Sequence, residues 1–75
     1  MSPLTFIPFW ELRRHNVAEE AVRGGSRRRR LEGPWTLPES VKDKLRPLLA
    51  PAGFDPSAPI EVREALDQDG FHFTQ

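Results

Sequence analysis

The sequence predicts a small α+β domain on the basis of three observations. The chain has 75 residues, of which 37% are hydrophobic and 29% charged, a globular composition long enough for one domain only. A helical stripe of apolar residues follows position 36, and a C-terminal segment alternates apolar and polar residues around a turn. We expect one main, kinked helix packed on a C-terminal β-hairpin, with an N-terminal edge strand and a short second helix as further elements.

The N-terminal segment from Leu4 to Leu12 has apolar residues at period two, which favours a strand. Pro8 cannot donate a ladder hydrogen bond, so the strand should lie at an edge of the sheet or bend there. In the alternative interpretation Pro8 starts a helix that runs to Arg23. In a strand, one face of this segment would stay exposed unless the helix and the hairpin cover both faces.

A short helix is expected from Val17 to Arg23. Asn16 would cap it, with Glu19 reaching back to form a capping box, and the pair Gly24-Gly25 would end it. An exposed arginine-rich loop, residues 24–34, should follow, because four consecutive guanidinium groups, Arg27 to Arg30, have no place in a packed core.

The main helix should begin at the sequence Thr36-Leu37-Pro38-Glu39, which fits a capping box with proline in the first turn. The apolar stripe that follows indicates its buried side, and Lys42, Asp43 and Lys44 are expected to point outward. Pro47 interrupts the pattern without changing its phase, so we expect a kink near Arg46 rather than a second helix. The stripe comprises Leu37, Val41, Leu45, Leu48 and Leu49.

The C-terminal segment has the features of a β-hairpin. Even spacing of apolar residues begins at Ile60, residues 67–70 supply turn chemistry, and residues 71–74 alternate again. The side chains expected to face the main helix are those of Ile60, Val62, Phe71 and Phe73.

The formal net charge of zero hides an uneven distribution. Residues 1–35 carry seven arginines against four glutamates, whereas residues 54–75 carry one arginine against five acidic residues. Such a molecule could orient on a charged partner, or it could fold its acidic hairpin against its own arginines.

Arginine and aromatic side chains are the candidate binding residues. Guanidinium groups bind carboxylate and phosphate, and tryptophan with arginine is typical of interface hot spots. We expect a non-enzymatic binding protein, a regulatory or accessory subunit, that docks on a larger protein or protein complex; nucleic acid is the alternative partner, and a homodimer is a further option. The candidate partner-binding residues are Phe9, Trp10, Arg13, Arg14, Arg27, Arg28, Arg29, Arg30 and Trp35.

Several classes of protein are disfavoured. The chain has no cysteine, and its two histidines, His15 and His72, have no partner ligands at metal-site spacing. No nucleophile-elbow or phosphate-loop pattern is present, so we expect no catalytic residue, metal or cofactor. The apolar N-terminus meets charge too early for a membrane span, and a cytoplasmic location is expected.

Overall fold

The computed structural model describes residues 3–24, 34–65 and 67–75 and confirms the α+β class. A four-stranded antiparallel sheet carries the helices on one face. A single 3-10 turn, Ala50–Ala52, extends the main helix. The elements in chain order are β1 (Leu4–Pro8), α1 (Phe9–Arg14), α2 (Glu19–Val22), β2 (Trp35–Thr36), α3 (Glu39–Leu49), β3 (Glu61–Ala65) and β4 (Gly70–Thr74).

The sheet has the strand order β1-β4-β3-β2, so the hairpin β3–β4 forms its centre. β1 pairs with β4, placing Ile7 opposite Phe71, and β2 pairs with β3, placing Trp35 opposite Val62. Because side chains alternate across a strand, these four share the face that carries the helices. The expected N-terminal edge strand is therefore present.

The core lies between that face and the helices. All four hairpin side chains expected to face α3 are buried, and Phe71 and Phe73 have no exposed surface. The predicted stripe of α3 is also confirmed, with Leu48 half-buried and its other members buried. The core consists of Ile7, Leu12, Val17, Val22, Leu37, Val41, Leu45, Leu49, Phe54, Ile60, Val62, Phe71 and Phe73.

The strand predicted over residues 4–12 ends at Pro8, so the prediction is wrong for its second half. Phe9 begins α1, and Pro8 stands at the N-cap with extended backbone (φ −73°, ψ 160°). Proline ends the ladder because it has no N–H, and its fixed φ suits the residue before a helix. Phe9 and Leu12 then point inward at helical spacing, and Trp10 points outward.

The predicted cap of α2 is also wrong. Asn16 has a left-handed backbone (φ 60°) and lies in the turn between α1 and α2, while extended Ala18 precedes the helix. The Glu19 carboxylate accepts a hydrogen bond from Arg13 at 2.7 Å instead of reaching back to the backbone. Gly24 (φ 72°) follows the helix as expected, because glycine adopts this conformation without a steric penalty.

α3 begins two residues after the predicted position. Thr36 belongs to β2, and Pro38 occupies the N-cap without a side-chain cap. Leu37 donates its N–H to the carbonyl of Ile60 at 2.8 Å, which continues the β2–β3 pairing up to the helix. The backbone of Thr36 and Leu37 is therefore part of the sheet pairing and does not form the predicted capping box. The helix continues through Pro47, as the unbroken apolar phase predicts.

Lys42 is buried, contrary to the expectation that it points outward, with only 6% of its surface exposed. Its Nζ donates to the carbonyl of Ala58 at 2.7 Å. The long aliphatic stem packs at the edge of the core while the ammonium group satisfies a backbone acceptor. This bond connects α3 to the segment that leads into the hairpin.

Candidate functional site

The exposed side of α1 carries the most prominent surface feature among the described residues. Trp10 is 61% exposed, although tryptophan is usually well buried. Arg13 and Arg14 lie three and four positions further along the helix, so they share its side. We call the set of Trp10, Arg13 and Arg14 the Trp10 surface.

The two arginines of the Trp10 surface differ in their partners. Arg13 Nη2 lies 2.7 Å from Glu19 Oε1, which fixes the guanidinium between α1 and α2. Within residues 3–24, 34–65 and 67–75, no carboxylate lies within salt-bridge distance of Arg14. Arg14 is exposed on the surface of α1.

A shallow open depression of about 330 Å³ adjoins Arg13 at the end of α1. Asn16, Val17 and Ala18 complete its lining. Lys44 Nζ lies 3.4 Å from the Asn16 carbonyl oxygen, so a further cation from α3 stands beside this depression. The end of α1 thus carries positive charge from both α1 and α3.

The other two aromatic candidates are partly buried and pack against the core. Phe9 packs on Phe71 with ring centroids 5.3 Å apart, and Trp35 meets Phe71 edge-on at 6.0 Å. The Trp35 indole N–H donates to the carbonyl of Val22 at 2.9 Å. Their positions give them a role in packing α1 and α2 onto the sheet.

A part-buried ion pair joins α2 to the sheet, and sequence reasoning did not identify it. Arg23 donates from Nε and Nη2 to the two carboxylate oxygens of Glu64 at 3.0 and 2.9 Å. The hydrogen bonds to Glu64 raise the pKa of Arg23 above its ordinary value. The guanidinium also lies 5.3 Å from the centre of the Phe71 ring. The only sequence signal for this pair was the uneven charge distribution, which suggested that the acidic hairpin could fold against the arginines.

A small cavity is lined by α3 and the segment after it, with Lys42, Phe54 and Ile60 among its walls. Its volume of about 20 Å³ is close to that of one water-sized probe. The described residues hold no group of three or more side chains arranged to bind a metal ion. None of the helices in the described ranges is long and apolar enough to span a bilayer.

The remaining candidates, Arg27 to Arg30, lie outside the described residues, as does most of the loop predicted over 24–34. Its two flanking elements are described: α2 ends at Val22 and β2 begins at Trp35. Comparison of the chain with protein-family models, curated proteins and solved structures finds no match.

Proposed function

We propose that this protein is a non-enzymatic binding or regulatory protein that docks on an acidic surface of a larger protein assembly. The Trp10 surface makes the central contact, and the arginine-rich segment 24–34 adds charge. The observation that carries the proposal is the 61% exposure of Trp10 on the same side of α1 as two arginines.

Exposed tryptophan is a good source of binding energy. Its rigid ring buries a large apolar area with little loss of side-chain entropy, and truncation of a tryptophan hot spot typically costs about 2 kcal/mol or more. The contrast with Trp35, whose partly buried indole packs against the core and is hydrogen-bonded, supports a separate role for Trp10.

The charges near α1 favour a partner that carries carboxylates. Arg14 and Lys44 make no ion pair within the described part of the chain, and Arg27 to Arg30 add four positive charges in the sequence. Arg13 and Arg23, in contrast, are already paired with carboxylates of the same chain. With a sequence pI of about 6.7, the protein has a weaker basic field than dedicated nucleic-acid binders, so an acidic protein is the favoured partner.

The proposal of a non-enzymatic role rests on the shape of the described surface. A small-molecule site normally occupies a cleft of about 300–1,000 Å³ that encloses most of its ligand. Here the cavity beside α3 is of water size, and the larger depression beside Arg13 is open. The absence of cysteine is consistent with a reducing compartment, and we propose the cytoplasm as the location.

The experiment is site-specific photocrosslinking in native lysate, with a photoreactive phenylalanine derivative at position 10, which keeps an aromatic ring there, and, as a control, at exposed position 63 on the other face of the sheet. The same lysate is treated with nuclease in parallel. Arg14→Glu and Arg63→Glu form a matched pair, because each reverses one exposed arginine and changes the net charge equally.

We expect one defined protein to crosslink at position 10 after nuclease treatment, and at least tenfold less of it with Arg14→Glu than with Arg63→Glu. Equal crosslinking at positions 10 and 63 would refute docking through the Trp10 surface. Loss of the crosslinked species on nuclease treatment would instead assign the surface to nucleic acid.

A further inference from the structure

β1 lies at the edge of the sheet, and within the described residues no strand pairs with its outer side. Gln75 donates its N–H to the carbonyl of Pro3 at 3.1 Å, and Phe9 donates its N–H to the carbonyl of Asp69 at 2.9 Å. Both bonds continue the β1–β4 register without a shift. Since antiparallel bonding alternates along a strand, the odd-numbered residues bond to β4, and the N–H and C=O groups of Leu4 and Phe6 point away from the sheet.

We propose that a second copy of this chain pairs with this edge, β1 against β1, in antiparallel orientation. Leu4 of each copy lies opposite Phe6 of the other, so the two residues exchange N–H and C=O groups and the dimer gains four backbone hydrogen bonds. Shifting the register by two residues toward Pro8 would leave the Leu4 carbonyl facing a residue that has no N–H. The two four-stranded sheets then form one continuous sheet across a twofold axis.

The side chains on the outer face of β1 fit the same arrangement. Leu4 is 65% exposed, and Phe6 lies beside it on that face, where its ring covers Gly70. In the dimer each Leu4 lies next to the Phe6 ring of the other copy, which removes apolar surface from water.

The lack of charge on β1 favours a second copy over an acidic strand. Residues 3–10 contain no charged side chain, so the edge lacks the lysine or glutamate that commonly prevents strand addition. Two neutral edges meet without repulsion. An acidic partner, in contrast, gains no cation at β1, because the cations of this region lie on α1 and α3.

The size of the contact predicts a weak dimer. Five residues of strand extend about 17 Å, and such an edge buries much less than the roughly 800 Å² per partner of a stable interface. The dimer should therefore form reversibly and depend on protein concentration.

The test uses disulfide trapping in the full chain, which has no native cysteine. Thr5 of one copy faces Thr5 of the other in a non-hydrogen-bonded pair, where Cα atoms lie about 4.5 Å apart, within disulfide range. We expect the Thr5→Cys protein to form a disulfide dimer on the order of tenfold faster than the Ser40→Cys protein, because strand pairing raises the local concentration of the thiols. Ser40 is an exposed control position on α3.

A second variant separates backbone pairing from chance collision. Leu4→Pro removes an N–H that points away from β4, so the fold should keep its circular dichroism spectrum while trapping through Thr5→Cys slows about tenfold. Equal trapping rates for Thr5→Cys and Ser40→Cys would overturn the proposal. So would fast trapping that Leu4→Pro leaves unchanged, or wild-type protein that sediments as a monomer at about 1 mM, a concentration at which even weak association is populated.

Discussion

The ion pair between Arg23 and Glu64 offers the sharpest test of how α2 is held on the sheet. Glu64→Gln keeps the size of the side chain but removes the charge and one of the two acceptors. The side chains of Arg23 and Glu64 are 20% and 13% exposed, so water replaces the lost bonds only in part. Breaking a fully buried pair costs about 3–5 kcal/mol. We discount this to about 2 kcal/mol here, because some water reaches the site and the Phe71 ring still contacts the guanidinium.

Urea unfolding followed by far-UV circular dichroism measures this loss, which corresponds to a fall in Tm of roughly 10 °C for a domain of this size. Glu19→Gln is the matched control, since it removes the same charge from the pair with Arg13, whose side chain is 69% exposed, and should cost less than about 0.5 kcal/mol. Arg23→Met combined with Glu64→Leu should be more stable than either single variant. Equal losses in the free energy of unfolding for Glu64→Gln and Glu19→Gln would refute this role of the ion pair. So would strictly additive effects in the double variant.

Three further predictions concern the sheet, the helix-to-hairpin connection and α3. Gly70→Ala places a Cβ 2.5 Å from the Phe6 ring and 2.6 Å from a backbone oxygen, so it should lower the free energy of unfolding by about 2 kcal/mol; an unchanged urea midpoint would contradict this. Hydrogen bonds from Ser57 lower the pKa of Asp55, so this carboxylate stabilises the fold above its unfolded pKa and loses that contribution as pH falls below about 4. Replacing the serine with alanine should raise the pKa in an NMR titration, and an unmoved pKa would show that its hydroxyl is not the cause. Lys42→Met should lower the free energy of unfolding in urea by about 1 kcal/mol, because the hydrogen bond to a backbone carbonyl is lost, whereas Lys44→Met should change it by less than about 0.5 kcal/mol. Equal losses would contradict the buried role of Lys42.

The parts of the fold predicted correctly are those in which the spacing of apolar residues along the chain is enough to decide between helix and strand. The stripe from Leu37 to Leu49 and the alternation from Ile60 to Phe73 both follow from burying one side of a regular element. The prediction failed at Pro8 because an apolar segment that changes from strand to helix within nine residues has no single period. Helical spacing of Phe9 and Leu12 was available as a signal, but the even-numbered pattern that starts at Leu4 masked it.

The caps and ion pairs could not be derived from local sequence. Thr36 fits a capping box, yet its backbone pairs with β3, an element more than twenty residues away. Glu64 and Arg23 are separated by 41 positions, and no spacing rule connects them. Trp10, Arg13 and Arg14 were all predicted as binding residues, but the separation of Trp10 from Phe9 depends on the helix that begins at Phe9.

The pairing of β1 with β4 has a consequence for the order of folding. Leu4 lies opposite Thr74, so β1 pairs with a strand that follows it by most of the sequence. Closing so long a loop carries a large entropic cost before any contact forms. During synthesis β1 cannot pair in this sheet until β4 has left the ribosome. A nascent chain that stalls before β4 should therefore present Trp10 beside an unpaired β1.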